Sequence, residues 1–143
     1  MLEPFPFVKV IPVQWGDQDA IKHVNNVVYF RWFECARINY FEGIEGYEML
    51  YASNLGAILA SITCDFRNQL RYPDTVHVGS RVTKIGNSSL QMSHQVISEK
   101  HAIVAAEATS TIVVFNYETN SSCRVPDTVR ETIARVEGRE FDD

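Results

Sequence analysis

The 143-residue sequence contains few of the residues that define specialised classes of protein. It has only three cysteines, which lie far apart at positions 35, 64 and 123 and form no Cys-x-x-Cys pair. An odd number of isolated cysteines indicates neither a disulfide framework nor a zinc site, so we expect reduced, structural thiols. Glycine-rich phosphate loops of the Walker or Rossmann type, internal repeats and low-complexity segments are also absent from the sequence.

Long apolar runs and an excess of basic residues are missing as well. No run reaches the roughly 18 apolar residues that would span a bilayer. The first ten residues, MLEPFPFVKV, lack the basic stretch followed by an apolar one that marks a signal peptide. A formal net charge of −5 disfavours nucleic acid as a partner, because binding phosphates needs a basic surface. These absences predict a soluble, cytoplasmic protein without membrane or nucleic-acid partners.

What remains is the composition of an ordinary globular domain, with 45% hydrophobic and 22% charged residues. A chain of this length can bury one hydrophobic core. We therefore predict a single domain over residues 1–143, with an acidic tail at about residues 137–143 that frays.

The spacing of apolar residues predicts a strand followed by a long helix. Residues 7–15, FVKVIPVQW, are rich in β-branched and aromatic side chains, and Pro12 indicates either an edge position or a bulge for this strand. The helix begins at Asn25 or Asn26 and ends at residues 43–46. Because apolar residues cover most of its circumference, we predict a helix that is buried on most sides.

Beyond the helix the apolar period changes to two. A short helical piece at residues 47–53 precedes residues 56–117, in which turns at 86–87 and 99–101 interrupt the alternation. This pattern predicts four consecutive antiparallel strands and then a terminal helix over residues 126–136. The resulting α+β fold is a meander curled around one long central helix. Its open face and edges predict pairing with a second copy of the chain, which makes the protein at least a homodimer.

Polar residues gather immediately before the central helix, in the segment GDQDAIKHVNN at residues 16–26. Two aspartates, one histidine and two asparagines in so short a segment indicate either an elaborate helix cap or an active site built at a helix start. The N-terminus of a helix carries free N–H groups, which can stabilise the negative oxygen formed when a carbonyl group is attacked. The backbone N–H of Asn26, or that of a neighbour within one residue, is the candidate donor.

This segment resembles the hotdog-fold acyl thioesterases, in particular the branch that is similar to 4-hydroxybenzoyl-CoA thioesterase. In that family an aromatic strand is followed by Gly-Asp-x-Asp, a loop, and an Asn- and Tyr-bearing helix start. The matching residues here are Gly16, Asp17, Asp19, Asn26, Tyr29 and Trp32. The resemblance implies the hotdog fold, hydrolysis of an acyl-CoA thioester, and Asp19 as a catalytic nucleophile or general base. Asp17 is expected to bind N–H groups of the loop instead.

The segment HVNNVVYFRW is also similar to the helix start of plant acyl-ACP thioesterases, in which Asp-x-Asn-x-His precedes Val-Asn-Asn. Asp19 and His23 match the Asp and the His of that motif, whereas Ile21 replaces its Asn. A mechanism that depends on this Asn is therefore excluded. His23 remains either a catalytic residue or a residue that hydrogen-bonds within the loop, and an acyl carrier protein remains an alternative to CoA.

Six further side chains are predicted to bind the substrate: Asn25, Tyr29, Trp32, Thr63, Arg67 and Ser89. The resemblance implies an active site between subunits of a homotetramer, to which Thr63, Asp65 and Asn68 come from the partner. Arg67 is a candidate for the phosphates of CoA. Ser89 matches a serine of the family's nucleotide-side hairpin, but Gly, Asn and Ser at positions 86–88 replace arginines there.

Other assignments of the site follow less directly from the sequence. Glu34 is a rival carboxylate, but it lies about 12 Å beyond Asn26 along the helix axis. No second His or Cys lies near Asp19 and His23, so neither a metal nor another cofactor is expected. The alternatives to a thioesterase are a hotdog-fold hydratase or dehydratase, with His23 essential, and a non-catalytic acyl-CoA-binding protein.

Overall fold

The computed structural model describes residues 5–141. Its strands are β1 (Phe7–Pro12), β2 (Leu55–Phe66), β3 (Thr75–Ile85), β4 (Ser89–Ser98), β5 (Ile103–Asn116) and β6 (Ser121–Ser122). Its helices are α1 (Asn26–Gly43), α2 (Gly46–Tyr51) and α3 (Asp127–Glu137), and a 3-10 turn covers Trp15–Asp17. The predicted α+β fold is confirmed, with α1 as the long central helix. Among residues 5–141, no helix is both long and apolar enough to cross a membrane.

The antiparallel sheet has the strand order β1-β3-β4-β5-β2, with β6 pairing with β5. The predicted meander of four consecutive strands is therefore wrong in one pairing, because β2 lies beside β5 and not beside β3. The connection between β2 and β3, residues 67–74, is not a hairpin turn. It buries Leu70, whose carbonyl oxygen accepts a hydrogen bond of 2.8 Å from the N–H of Val24. This connection is thereby fixed against the loop that precedes α1.

One face of α1 packs against the sheet. The buried residues follow the spacing of a helical stripe and are Tyr29, Trp32, Phe33, Ala36, Tyr40 and Phe41. The prediction that α1 is buried on most sides is wrong for a single chain, because Val27, Phe30 and Ile38 are exposed. A single sheet can cover only one side of a helix, so the second apolar side remains open.

Strand β1 ends three residues earlier than the sequence predicted. It lies at an edge of the sheet, as Pro12 indicated, and Pro12 is its last residue. The N–H of Gln14 then donates to the carboxylate of Asp17 at 2.8 Å, which closes the 3-10 turn. The chain therefore leaves the strand before Trp15, because the side chain of Asp17 competes with a strand partner for the backbone N–H.

The C-terminal helix α3 is fixed to the core by Glu137. The carboxylate of Glu137 accepts hydrogen bonds from the hydroxyl of Tyr40 at 2.6 Å and from the N–H of Val82 at 2.8 Å. Phe141 packs against the core beside Arg139, whose guanidinium lies 4.3 Å from the ring centroid. Glu137 and Phe141 therefore contact the folded domain, residues 142–143 lie outside the described part of the chain, and the fraying of the tail stays a prediction.

A buried histidine, His94, lies on β4, between β3 and β5, on the side of the sheet that faces α1. His94 is 1% exposed, its Nδ1 is 2.8 Å from the hydroxyl of Ser80, and its Nε2 is 3.0 Å from the hydroxyl of Ser110. A neutral imidazole satisfies both contacts, since one nitrogen accepts and the other donates. Burial, with a smaller contribution from the charge of Arg37, lowers the pKa of His94 from 6.5 to about 4.

Candidate active site

The loop before α1 is held by its own short-range hydrogen bonds. The side chain of Asp17 binds the N–H of Gln14, and its carbonyl oxygen accepts from the N–H of Asn25 at 2.9 Å. The predicted role of Asp17 as a partner of loop N–H groups is thus confirmed for Gln14. Asp17 links the end of β1 to the start of α1.

Asp19 begins a tight turn that ends at His23. The N–H of Asp19 donates to the carbonyl oxygen of His23, and the N–H of Lys22 donates to the carbonyl oxygen of Asp19, both at 2.9 Å. One carboxylate oxygen of Asp19 accepts from the N–H of Ile21 at 3.0 Å. The other carboxylate oxygen has no donor within residues 5–141, and the side chain is exposed. Asp19 therefore shapes the turn and still has an oxygen available for chemistry.

The start of α1 presents a free donor next to this turn. Asn25 is the N-cap, and its side-chain oxygen accepts from the N–H of Val27 at 3.0 Å. Its carbonyl oxygen accepts from the N–H of Val28 at 2.9 Å. The N–H of Asn26 has no acceptor in the described part of the chain. A helix N-terminus with one open N–H group is suited to stabilise a negative oxygen.

A cleft of about 530 Å³ brings these groups together. Its walls come from the loop, the start of α1 and the chain that follows β2, and they are formed by Asp19, Ile21, His23, Val24, Asn25, Asn26, Tyr29, Phe66, Arg67, Asn68 and Gln69. Six of the nine predicted site residues are among them. Burial raises the pKa of Tyr29 to about 12, so its hydroxyl remains protonated at neutral pH.

The cleft also contains residues that the sequence did not place there. Asn68 was expected from a partner subunit, but the Asn68 of the same chain lines the cleft, and its side-chain amide donates to the carbonyl oxygen of Val104 at 2.8 Å. Phe66 and Gln69 were not predicted. Alternation along β2 could have identified Phe66, because every second residue of a strand points to the same face.

Three predicted substrate-binding residues lie outside this cleft. Trp32 is 3% exposed and packs in the core against Tyr29, with ring centroids 5.1 Å apart. Thr63 lines a separate cleft of about 260 Å³, together with Arg81 and Glu107. The alternation of side chains along β2 explains why Thr63 lies outside the cleft. It directs the side chain of Phe66 towards Tyr29 of α1 and that of Thr63 to the opposite face of the sheet.

Ser89 is the third of these residues and begins β4 at the far end of a hairpin. Its carbonyl oxygen accepts from the N–H of Gly86 at 2.7 Å. The guanidinium of Arg130 on α3 donates to the carbonyl oxygens of Gly86 at 2.6 Å and Asn87 at 3.0 Å. The hairpin is therefore tied to α3, and within one chain Ser89 does not line the Asp19 cleft.

Arg67 lines the cleft, but its charge is already compensated. Its guanidinium donates to a carboxylate oxygen of Glu107 at 2.9 and 3.2 Å, and the carboxylate of Asp65 is 3.8 Å away. Hydrogen bonds from Gln95 and Arg67 lower the pKa of Glu107 below its ordinary value. A CoA phosphate would have to compete with Glu107 for this guanidinium.

Glu34, the alternative to Asp19 as the catalytic carboxylate, lies outside the cleft. It borders a depression on the exposed side of α1, next to Val27, Phe30 and Leu59, and does not line the Asp19 cleft. Within residues 5–141, no three His, Cys, Asp or Glu side chains are grouped so that they could hold a metal ion.

Comparison with known proteins identifies the family. Residues 13–133 match the model of the Thioesterase-like superfamily. The long-chain acyl-CoA thioesterase FadM of Escherichia coli K12 is 23% identical over 126 residues, which are 88% of this chain and 96% of FadM.

Solved structures agree with this match. A thioesterase of Thermus thermophilus, crystallised with coenzyme A and Zn, is 31% identical, with a TM-score of 0.84 over 98% of this chain and 100% of its own. The gentisyl-coenzyme A thioesterase BH1999 shares the fold, with 23% identity and a TM-score of 0.78 over 90% of this chain and 100% of its own. The chain therefore belongs to the Thioesterase-like superfamily, and it is a thioester hydrolase with the hotdog fold.

Proposed function

We propose that the chain hydrolyses an acyl-CoA thioester to a free acid and CoA, with Asp19 as the catalytic carboxylate. One observation carries this proposal: a carboxylate oxygen of Asp19 and the N–H of Asn26, both without a partner among residues 5–141, belong to residues that line the same cleft. Hydrolysis of a thioester needs a nucleophile or a base on one side of the carbonyl group and a donor for the oxygen that becomes negative. These two residues supply both.

Asp19 can act in two ways that give the same products. As a nucleophile, its carboxylate attacks the carbonyl carbon, the C–S bond breaks, the thiolate of CoA leaves, and water then hydrolyses the mixed anhydride. As a general base, Asp19 takes a proton from water while the oxygen of that water adds to the carbonyl carbon. The C–S bond then breaks, and the proton passes from Asp19 to the leaving thiolate of CoA. In both routes the carbonyl oxygen becomes negative beside Asn26.

The N–H of Asn26 is the group that stabilises this oxygen in our proposal. It lies at the positive end of the dipole of α1, whose next N–H groups are occupied by the cap Asn25. Loss of one such donor typically costs about 3 kcal/mol of transition-state stabilisation. No metal ion or other cofactor is required in this scheme, because the carboxylate and the hydrogen-bond donor for the carbonyl oxygen both come from the protein.

The substrate class rests on the chemistry of the cleft and on the relatives. Tyr29, Phe66 and Ile21 give the cleft apolar walls, which suit an aliphatic or aromatic acyl group. FadM is named as a long-chain acyl-CoA thioesterase, and the Thermus thermophilus thioesterase was crystallised with coenzyme A. We therefore favour CoA over an acyl carrier protein as the carrier. A net charge of −5 does not favour docking of an acidic carrier.

A second copy of the chain is the proposed partner. One edge of β2 has no strand partner within residues 5–141, and Ile58 and Leu59 on this strand are exposed. Leu59 adjoins Val27 and Phe30 on the open side of α1. An unpaired edge next to an apolar surface favours pairing with an identical chain. The mass of the protein in solution should be at least twice the 16.3 kDa of one chain, and a monomer would contradict this proposal. The tetramer stays a prediction.

The proposed activity is tested with purified protein and a panel of acyl-CoA substrates that includes crotonyl-CoA. We expect release of free thiol from at least one substrate, followed with a thiol-detecting reagent. With crotonyl-CoA, a hydratase would remove the enoyl absorbance without releasing thiol. That result, or tight binding of acyl-CoA without any thiol release, would contradict the proposal.

A further inference from the structure

Arg71 contacts the histidine of the cleft directly. The guanidinium Nη2 of Arg71 lies 3.0 Å from Nε2 of His23. A guanidinium group has only N–H donors and stays protonated in proteins, so Nε2 of His23 must be the acceptor. Within residues 5–141, no carboxylate lies within 4 Å of Arg71.

This contact determines where the imidazole carries its proton. When Nε2 accepts a hydrogen bond, the neutral ring carries its hydrogen on Nδ1. Nδ1 of His23 is shielded from solvent and has no hydrogen-bond partner in the described part of the chain. A buried N–H donor is stabilised by an acceptor, and a molecule that enters the cleft lined by His23 can supply one.

Hydrogen bonds on both sides of Arg71 hold it in this position. Its neighbour Leu70 accepts from the N–H of Val24, and its other neighbour Tyr72 donates its N–H to the side-chain oxygen of Gln18 at 3.0 Å. The two ends of the Asp19–His23 turn are thereby tied to the two sides of Arg71. The backbone of residue 71 is therefore fixed beside the turn that contains His23, which places the exposed side chain of Arg71 within reach of the imidazole.

We propose that Arg71 is a positioning residue that holds His23 as the Nδ1–H tautomer, and that His23 acts as a hydrogen-bond donor and not as the base. The inference rests on the proposed function and adds the role of His23 to it. The acceptor that we propose for the Nδ1–H group is the thioester oxygen or the attacking water, which would reach this shielded atom from the cleft as the substrate binds. Because its remaining lone pair is occupied by Arg71, His23 leaves the base or nucleophile role to Asp19.

The tautomer is measured directly by nitrogen-15 NMR of the imidazole rings in the intact protein. We expect a proton on Nδ1 and a hydrogen-bonded lone pair on Nε2 for His23, and an Arg71→Met variant should lose this preference. Arg71→Lys keeps a donor and should retain the wild-type tautomer. His77, His94 and His101 serve as internal controls, whose spectra should not change. A wild-type His23 with its proton on Nε2 would overturn the proposal, whether or not the protein hydrolyses any thioester.

Kinetic measurements then show whether His23 acts as a hydrogen-bond donor or as the general base. His23→Asn keeps an N–H group near the position of Nδ1 but cannot take up a proton, whereas His23→Leu has no donor. We expect His23→Asn to keep kcat within about threefold of the wild type and His23→Leu to lose about tenfold. If His23 were the base, both variants would lose about 100-fold or more. Equal losses in the two folded variants would therefore refute the donor role.

Discussion

The substitution Asp19→Asn is expected to lower kcat for thioester hydrolysis at least about 100-fold. An amide is neither a nucleophile of comparable strength nor a base at neutral pH, so both routes through Asp19 would be lost. The fold should be retained, because an amide oxygen can still accept the hydrogen bond from the N–H of Ile21 and the side chain is exposed. Initial rates of thiol release measure the change.

The neighbouring carboxylate provides a matched control for this substitution. Asp17→Asn also removes one negative charge from the loop, but Asp17 binds the N–H of Gln14 and does not line the cleft. We expect this variant to keep kcat within a few-fold of the wild type and to lose about 1 kcal/mol of stability or less. Both variants should keep the solution mass of the wild type. Near-wild-type turnover of a folded Asp19→Asn protein would refute the catalytic assignment.

Acidification is expected to destabilise the fold through His94. Because burial lowers its pKa from 6.5 to about 4, the unfolded chain takes up a proton in this interval while the folded chain does not. The stability due to the neutral, buried ring is fully present above pH 6.5 and is lost as the pH falls towards 4. The expected loss is about 1.4 kcal/mol per pH unit and about 3 kcal/mol in total.

Urea unfolding at several pH values between 7 and 4 measures this loss. Carboxylates also titrate at the acid end, so the relevant quantity is the difference between the wild type and His94→Gln, in which this proton uptake is absent. The stability advantage of the wild type over the variant should shrink by about 3 kcal/mol across the interval. A constant difference between the wild type and His94→Gln would contradict this explanation.

The sequence predicted the local features of the fold well, because they depend on neighbouring residues. The start of α1 at Asn26, its cap Asn25 and the turn between β3 and β4 follow from side chains that act over a few positions. The pairing of β2 with β5 could not be predicted in this way. Alternation of apolar residues shows that a segment is a strand but does not specify its neighbours in the sheet.

The same distinction between local and tertiary features applies to the residues of the candidate site. Asp19, His23 and Asn26 lie within eight residues of one another, so the sequence alone predicted that they share a site. Phe66 lines the cleft and Arg71 contacts its residue His23 because the end of β2 and the chain that follows it pack against the loop before α1. That contact depends on the tertiary hydrogen bond between Val24 and Leu70, which no local pattern reveals.

The proposal depends most on the position of the thioester carbonyl, and the infrared spectrum of bound substrate measures it. A carbonyl carbon labelled with carbon-13 in an acyl-CoA bound to Asp19→Asn, which should bind without rapid turnover, gives an isolated stretching band. If the oxygen accepts a hydrogen bond from the N–H of Asn26 at the positive end of α1, this band should lie at lower frequency than in solution. A bound carbonyl with the same frequency as in water would show that the start of α1 is a helix cap and not the site of catalysis.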